Sequence, residues 1–230
     1  METEATRKTH FKIVRYMFES GIKLHLKSVT IATAAVLYHR FFQRCSLKNY
    51  DPYVVGMASL YLAGKIEEEL TKMRDVINVC HRVLHKTEPP LEIGTTYWAL
   101  RETVANMELL ILRVLQFKVS ITHPHNYLLH FLKSLQSWLE PSVVEGFPIA
   151  STSWALLRDS YHGKMCLKHK PEHMAVAVLY MALQCHGVDV PHSRQAEFKW
   201  WEAFVEDISL RQIREIILDI IQVYSMETVT

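Results

Sequence analysis

The chain has little glycine, no patterned cysteine, almost no net charge and no long apolar run, and each shortage removes a class of protein. Seven glycines occur in 230 residues. None sits in an Asn-Gly or Asp-Gly pair, so tight β-hairpins lack their usual turn residues. The four cysteines, Cys45, Cys80, Cys166 and Cys185, are scattered without a CxxC. That suits neither a disulfide framework nor a zinc ribbon, and it predicts a reducing compartment. A formal charge of +2 argues against a protein whose main task is gripping nucleic acid. The longest apolar run, residues 174–183, is too short to span a bilayer. Residues 1–10 are polar and charged, which predicts no secretory signal. No glycine-rich phosphate loop, HExxH or GxSxG occurs, so the expectation is no enzyme, no cofactor and no metal.

What is present is apolar and helical. Apolar residues make up 49% of the chain and aromatics 10%, enough for a packed core. Thr9 is the expected cap of a first helix with Phe11, Val14, Phe18 and Ile22 on one face. A second helix is predicted over 30–44. Asp51 and Pro52 open a third, because proline suits a first turn where its missing N–H needs no partner. A fourth fits 73–84. Pro89, Pro90 and Gly94 mark 86–94 as a loop, and a long fifth helix covers 96–117 with Leu100, Val104, Met107, Ile111 and Val114 along its stripe. The pattern then restarts. Thr122-His123-Pro124 opens a helix carrying Leu128, Phe131, Leu132, Leu135 and Trp138. Residues 140–148 and 187–195 read as loops, 197–204 as a short helix. Ser209 and Gln212 have capping-box spacing before a stripe of Ile213, Ile217, Ile220 and Tyr224.

The strongest signal is a repeat. Residues 52–65 read PYVVGMASLYLAGK and residues 171–184 read PEHMAVAVLYMALQ. Pro52 matches Pro171, Leu60-Tyr61 matches Leu179-Tyr180, and Ala63 matches Ala182. Ile31-Ala32-Thr33 is echoed by Ile149-Ala150-Ser151. Both phrases lack a polar face, the pattern of a helix surrounded by others. The expectation is an all-α protein of two tandem five-helix bundles at 10–121 and 122–226, with short tails at 1–9 and 227–230. Without a Gly/Ser-rich linker, the halves are expected to pack closely. Only the first copy ends in charge, Lys65-Ile66-Glu67-Glu68-Glu69, where the second ends in Gln184-Cys185-His186-Gly187.

These features carry a resemblance. Lys65-Ile66-Glu67-Glu68 closing a buried helix, followed by Met107-Glu108-Leu109-Leu110-Ile111-Leu112-Arg113-Val114-Leu115-Gln116-Phe117, resembles the cyclin box over residues 10–226. The phrases DPYVVGMASLYLAGKIEE, HPHNYLLHFL and SWALLRDSYHG are most similar to the cyclin-Q (cyclin-M) branch. The resemblance implies a regulatory subunit that holds the mobile helix of a cyclin-dependent kinase, here cyclin-dependent kinase ten, in its active position. It also implies that Lys65 and Glu108 meet that kinase in a heterodimer, inside the cell, in nucleus or cytoplasm. The substrate-docking motif of mitotic cyclins is missing from the first helix. Residues 1–8 leave little room for the extra N-terminal helix or destruction signals seen in some cyclins, so neither substrate docking of that kind nor turnover by such a signal is expected.

Competing readings stand beside these. A lysine and a glutamate on helix surfaces are ordinarily solvated and contribute little. Glu67, Glu68 and Glu69 read as a solvated helix end, although acidic groups sit badly at a helix C-terminus and hint at a pull from elsewhere. Cys166, His169 and His173 have a tempting metal spacing but lack a fourth ligand. His123 and His125 read as capping or surface groups, and Arg158-Asp159 with Tyr161-His162 as a structural network. Trp200-Trp201 reads as packing under a loop. The alternative function is a nucleic-acid-associated factor like the transcription initiation factor TFIIB, whose relatives use the same paired bundles on DNA.

Overall fold

The computed structural model describes residues 4–191 and 198–227. Among them there is helix and no strand, and the chain divides into two compact units at 1–121 and 122–230. The first unit holds α1 (Glu4–Lys23), α2 (Ser28–Arg44), α3 (Pro52–Ile66), α4 (Met73–Leu84) and α5 (Thr95–Val114). The second holds α6 (Pro124–Gln136), α7 (Pro141–Gly146), α8 (Ile149–Ser160), α9 (Met165–Lys168), α10 (Pro171–Cys185) and α11 (Leu210–Glu227).

The repeated apolar phrases are the two central helices. In α3, Val55, Ala58, Leu60 and Ala63 are fully buried, because α1, α2, α4 and α5 all pack around it. In α10, Ala175, Val176, Ala177, Val178, Leu179 and Ala182 are fully buried among α6, α8 and α11. Burying Leu60 and Leu179 contributes about 2 kcal/mol each. Asp51 caps α3 by accepting the Tyr53 N–H at 2.8 Å, with Pro52 in the first turn. Ser209 and Gln212 form the capping box of α11: the Gln212 carboxamide oxygen accepts the Ser209 N–H at 2.8 Å, and Ser209 Oγ accepts the Gln212 N–H at 3.3 Å.

Several local expectations are corrected. The first helix is already formed at Glu4, so residues 4–9 are helical and not tail. Thr9 lies inside it and donates its hydroxyl to the Ala5 carbonyl at 3.0 Å. A Glu4–Lys8 pair at 3.0 Å, one turn apart, supports that extra turn. The fifth helix stops at Val114, because Gln116 and Phe117 take positive φ values of 54° and 56° and turn the chain back. The loop expected at 140–148 contains α7, started by Pro141. Residues 200–204 form turns where a short helix was expected. Residues 192–195 of the expected loop, and Glu197, lie outside the described residues, as do residues 1–3 and 228–230 of the expected tails.

Candidate functional site

The charged end of α3 lies against α5 and α2. Lys65, in the last turn of α3, donates from Nζ to Glu108 Oε1 on α5 at 2.7 Å. The two expected contact residues are therefore paired with each other. They differ in environment: the Lys65 side chain is 42% exposed, that of Glu108 only 10%. The lysine ammonium also sits over the Tyr61 ring, 4.4 Å from its centroid, a cation–π contact one helical turn back. Burial alone would lower the Lys65 pKa, but the hydrogen bond and charge of Glu108, with help from Tyr61, raise it above the ordinary lysine value. Lys65 is held protonated at one edge of the bundle, with donors to spare beyond the one used by Glu108. Glu108 is buried within the chain itself because α3 and α5 pack side by side.

The acidic run after Lys65 is a clamp as well as a helix end. Thr33 on α2 donates its hydroxyl to Glu67 Oε1 at 2.6 Å. Glu69 Oε2 accepts both the Lys27 N–H at 2.9 Å and the Thr30 hydroxyl at 2.7 Å. Lys27 is the N-cap of α2 and supplies no side-chain cap itself. Glu69 thus caps α2 from a distance and places a negative charge at the positive end of that helix. Glu68 between them adopts φ 56°, and the Glu69 N–H reaches back to the Gly64 carbonyl at 2.8 Å, closing a Schellman turn. The turn is tight: a Cβ on Gly64 would lie 2.8 Å from the Glu69 carbonyl oxygen. The one sequence signal for this clamp was the misfit of three carboxylates at a helix C-terminus. Tyr61, four residues before Lys65, was missed, and only its i,i+4 spacing could have pointed to it.

The other candidates resolve into structure. His169 shares a hydrogen bond with Asp219 and His173 with Asp207, each at 3.0 Å. The two histidines thus have separate carboxylate partners and do not converge with Cys166 on a metal. His123 Nδ1 hydrogen-bonds Tyr161 Oη at 2.9 Å. His125 is buried between Tyr161 and Trp154, and burial together with His123 lowers its pKa to about 4. Tyr224 donates to Asp159 at 2.9 Å, and Arg158 pairs with the same carboxylate at 3.0 Å. Trp201 is buried and Trp200 stacks near Tyr180. A basic cluster at Arg40, Arg44 and Lys118 is partly spent within the fold: Arg40 donates to the Lys118 carbonyl and Arg44 to the Val114 carbonyl, satisfying the end of α5.

Residues 2–120 match the family model described as "Cyclin, N-terminal domain". Among curated proteins, the chain is 30% identical to cyclin-K of Danio rerio, over 92% of this chain and 48% of that protein. It is 33% identical to cyclin-L1 of Gallus gallus, over 91% of this chain and 38% of that one. The chain thus spans less than half the length of these two relatives. Its fold matches a chain of the yeast RNA Pol II CTD kinase CTDK-1 complex with a TM-score of 0.74 at 17% identity, covering 95% of this chain and 66% of that one. It also matches a chain of the CAK complex from Chaetomium thermophilum, TM-score 0.64 at 16% identity, covering 94% and 61%.

Proposed function

We propose that this chain, which belongs to the cyclin family, is the regulatory subunit of a cyclin-dependent kinase and performs no catalysis of its own. The observation that carries the reading is the Lys65–Glu108 pair, a protonated ammonium with free donors anchored on a buried carboxylate at the edge between α3 and α5. Leu70, four-fifths exposed just beyond α3, and Leu109, exposed beside Glu108 in the sequence, add apolar area of the kind a partner helix covers. The kinase helix that carries the ATP-orienting glutamate docks here. Lys65 donates to its backbone carbonyls and Glu108 accepts from its N–H groups. Docking shifts the kinase toward the arrangement in which its lysine–glutamate pair and activation loop are ordered. One fold match, a chain of the yeast RNA Pol II CTD kinase CTDK-1 complex, supports this direction.

The finer reading is a subunit of the cyclin-Q type whose partner is cyclin-dependent kinase ten, supported by the three phrases at 51–68, 123–132 and 153–163. Purified chain alone gives no phosphotransfer. Added to that kinase, it raises substrate phosphorylation by orders of magnitude. Equal activity with and without the chain overturns the activating role. Activation of a different cyclin-dependent kinase, and not this one, overturns the finer reading alone.

A further inference from the structure

The loop between α4 and α5 carries a side-chain cluster that the kinase reading does not use. His81 lies in the last turn of α4 and His85 is its C-cap, four residues later on the same face. Their rings stack, with centroids 4.4 Å apart and planes 29° from parallel. Glu88 turns back toward them: its N–H donates to the His85 carbonyl at 3.2 Å, and its own carbonyl accepts from Arg82 at 2.5 Å. Glu88 Oε1 then lies 3.0 Å from His85 Nδ1. One ligand atom from each of His81, His85 and Glu88 lies within 4.8 Å of the other two.

We propose that His81, His85 and Glu88 form a binding site for a divalent transition-metal ion of the Zn2+ type, with one coordination position left open to solvent. Two imidazoles and a carboxylate are a ligand set such ions favour. With bonds of about 2.0–2.2 Å, neighbouring ligand atoms of a tetrahedral ion stand about 3.3 Å apart. The His85–Glu88 pair is already near that spacing. The ion takes the place of the proton these two atoms share, and small side-chain rotations bring in His81. All three residues are half-buried or exposed, so an ion reaches them without opening the core. Neighbouring cations are engaged elsewhere: Lys23 and Lys86 both pair with Glu19, at 2.8 and 3.2 Å, and Arg82 is held on the Glu88 carbonyl. Binding fastens the loop 85–94 to the end of α4, one helix away from the Lys65–Glu108 face.

The test is titration of the full chain with Zn2+ by calorimetry at neutral pH, with Co2+ absorption reporting tetrahedral geometry. Amide exchange with and without Zn2+ locates the ion. The expected result is a site for one ion, slowed exchange in residues 81–88, and affinity lowered at least about tenfold in His85→Gln and in Glu88→Gln. Glu88 is exposed, so Glu88→Gln keeps the fold intact. His169→Gln, in the second unit, leaves that binding step unchanged. No uptake at submillimolar Zn2+, protection appearing elsewhere in the chain, or undiminished affinity in both variants overturns the proposal.

Discussion

At the residue scale, Lys65 and Glu108 are chemically unequal partners. Lys65→Ala strands a buried carboxylate, which costs about 1–3 kcal/mol of stability. Glu108→Ala releases a lysine that is already 42% exposed and can solvate itself, so its cost is about 1 kcal/mol or less. Both changes weaken kinase binding by about 1–3 kcal/mol. Urea unfolding and a binding titration on the same two variants read the difference; a Glu108→Ala protein less stable than Lys65→Ala contradicts the burial argument. Replacing both, Lys65→Met with Glu108→Leu, restores stability to within about 1 kcal/mol of the parent while kinase affinity stays lost. A second residue-scale effect belongs to His125. Its pKa in the fold, about 4, lies below the unfolded value near 6.5. The fold therefore holds the neutral ring. Its stability contribution is complete above about pH 6.5 and is lost progressively as pH falls from there through about 4, roughly 2 kcal/mol by about pH 5. Urea midpoints at the two pH values test this against His125→Phe, where that share of the loss disappears. Identical pH dependence in both proteins rules it out.

At the element scale, the two central helices end alike and differ in what they hold. Glu67 and His186, 119 positions apart, are the C-caps of α3 and α10. Thr33 bonds Glu67 at 2.6 Å, and Thr152 bonds His186 at 2.8 Å. The second helices therefore match at the same 119-position offset as the central ones, one residue away from the echo of Ile31-Ala32-Thr33 in Ile149-Ala150-Ser151. Thr152 replaces Ser151 as the counterpart of Thr33. The next position takes positive φ in both copies, Glu68 at 56° and Gly187 at 64°. A Schellman bond follows each, from Glu69 to Gly64 and from Val188 to Leu183. Glycine adopts that conformation freely, whereas a glutamate pays the Cβ–carbonyl crowding. Glu68→Gly therefore stabilises the chain by up to about 1 kcal/mol. A fall in the thermal midpoint would mean that the Glu68 side chain makes a compensating contact. The first copy also keeps polar residues where the second is apolar: Thr30 and Glu69 are replaced by Ile149 and Val188, both buried. Tyr61 holds Lys65, while its counterpart Tyr180 faces Trp200 and Trp201.

At the scale of the whole molecule, duplication supplies an internal control. Gln184 occupies the position equivalent to Lys65 on α10. Gln184→Ala should leave kinase affinity within about twofold of the parent, an effect below about 0.5 kcal/mol, in the same titration that registers Lys65→Ala. An equal loss in both variants would spread the interface over the two units and refute its assignment to the first. The cyclin N-terminal match over residues 2–120 falls on the unit that carries the charged pair.

The sequence by itself determined the all-α architecture, the two central helices and the proline and capping signals that open α3, α10 and α11. Those features depend on local periodicity and on groups a few residues apart, which the order of residues records directly. It also singled out Lys65 and Glu108, through the likeness of their surrounding phrases to a known family. Only the tertiary structure decided that these two residues pair at 2.7 Å, that Glu67 and Glu69 clamp α2, and that His169 and His173 go to different carboxylates. Each of those joins groups from separate elements, 34 to 50 residues apart in the chain. Their meeting depends on how helices pack, and side-chain spacing along one helix carries no record of that. Helix ends were misplaced for a related reason. The stop of α5 is set by backbone turning at Gln116 and Phe117, neither of which is a residue type that announces a left-handed turn.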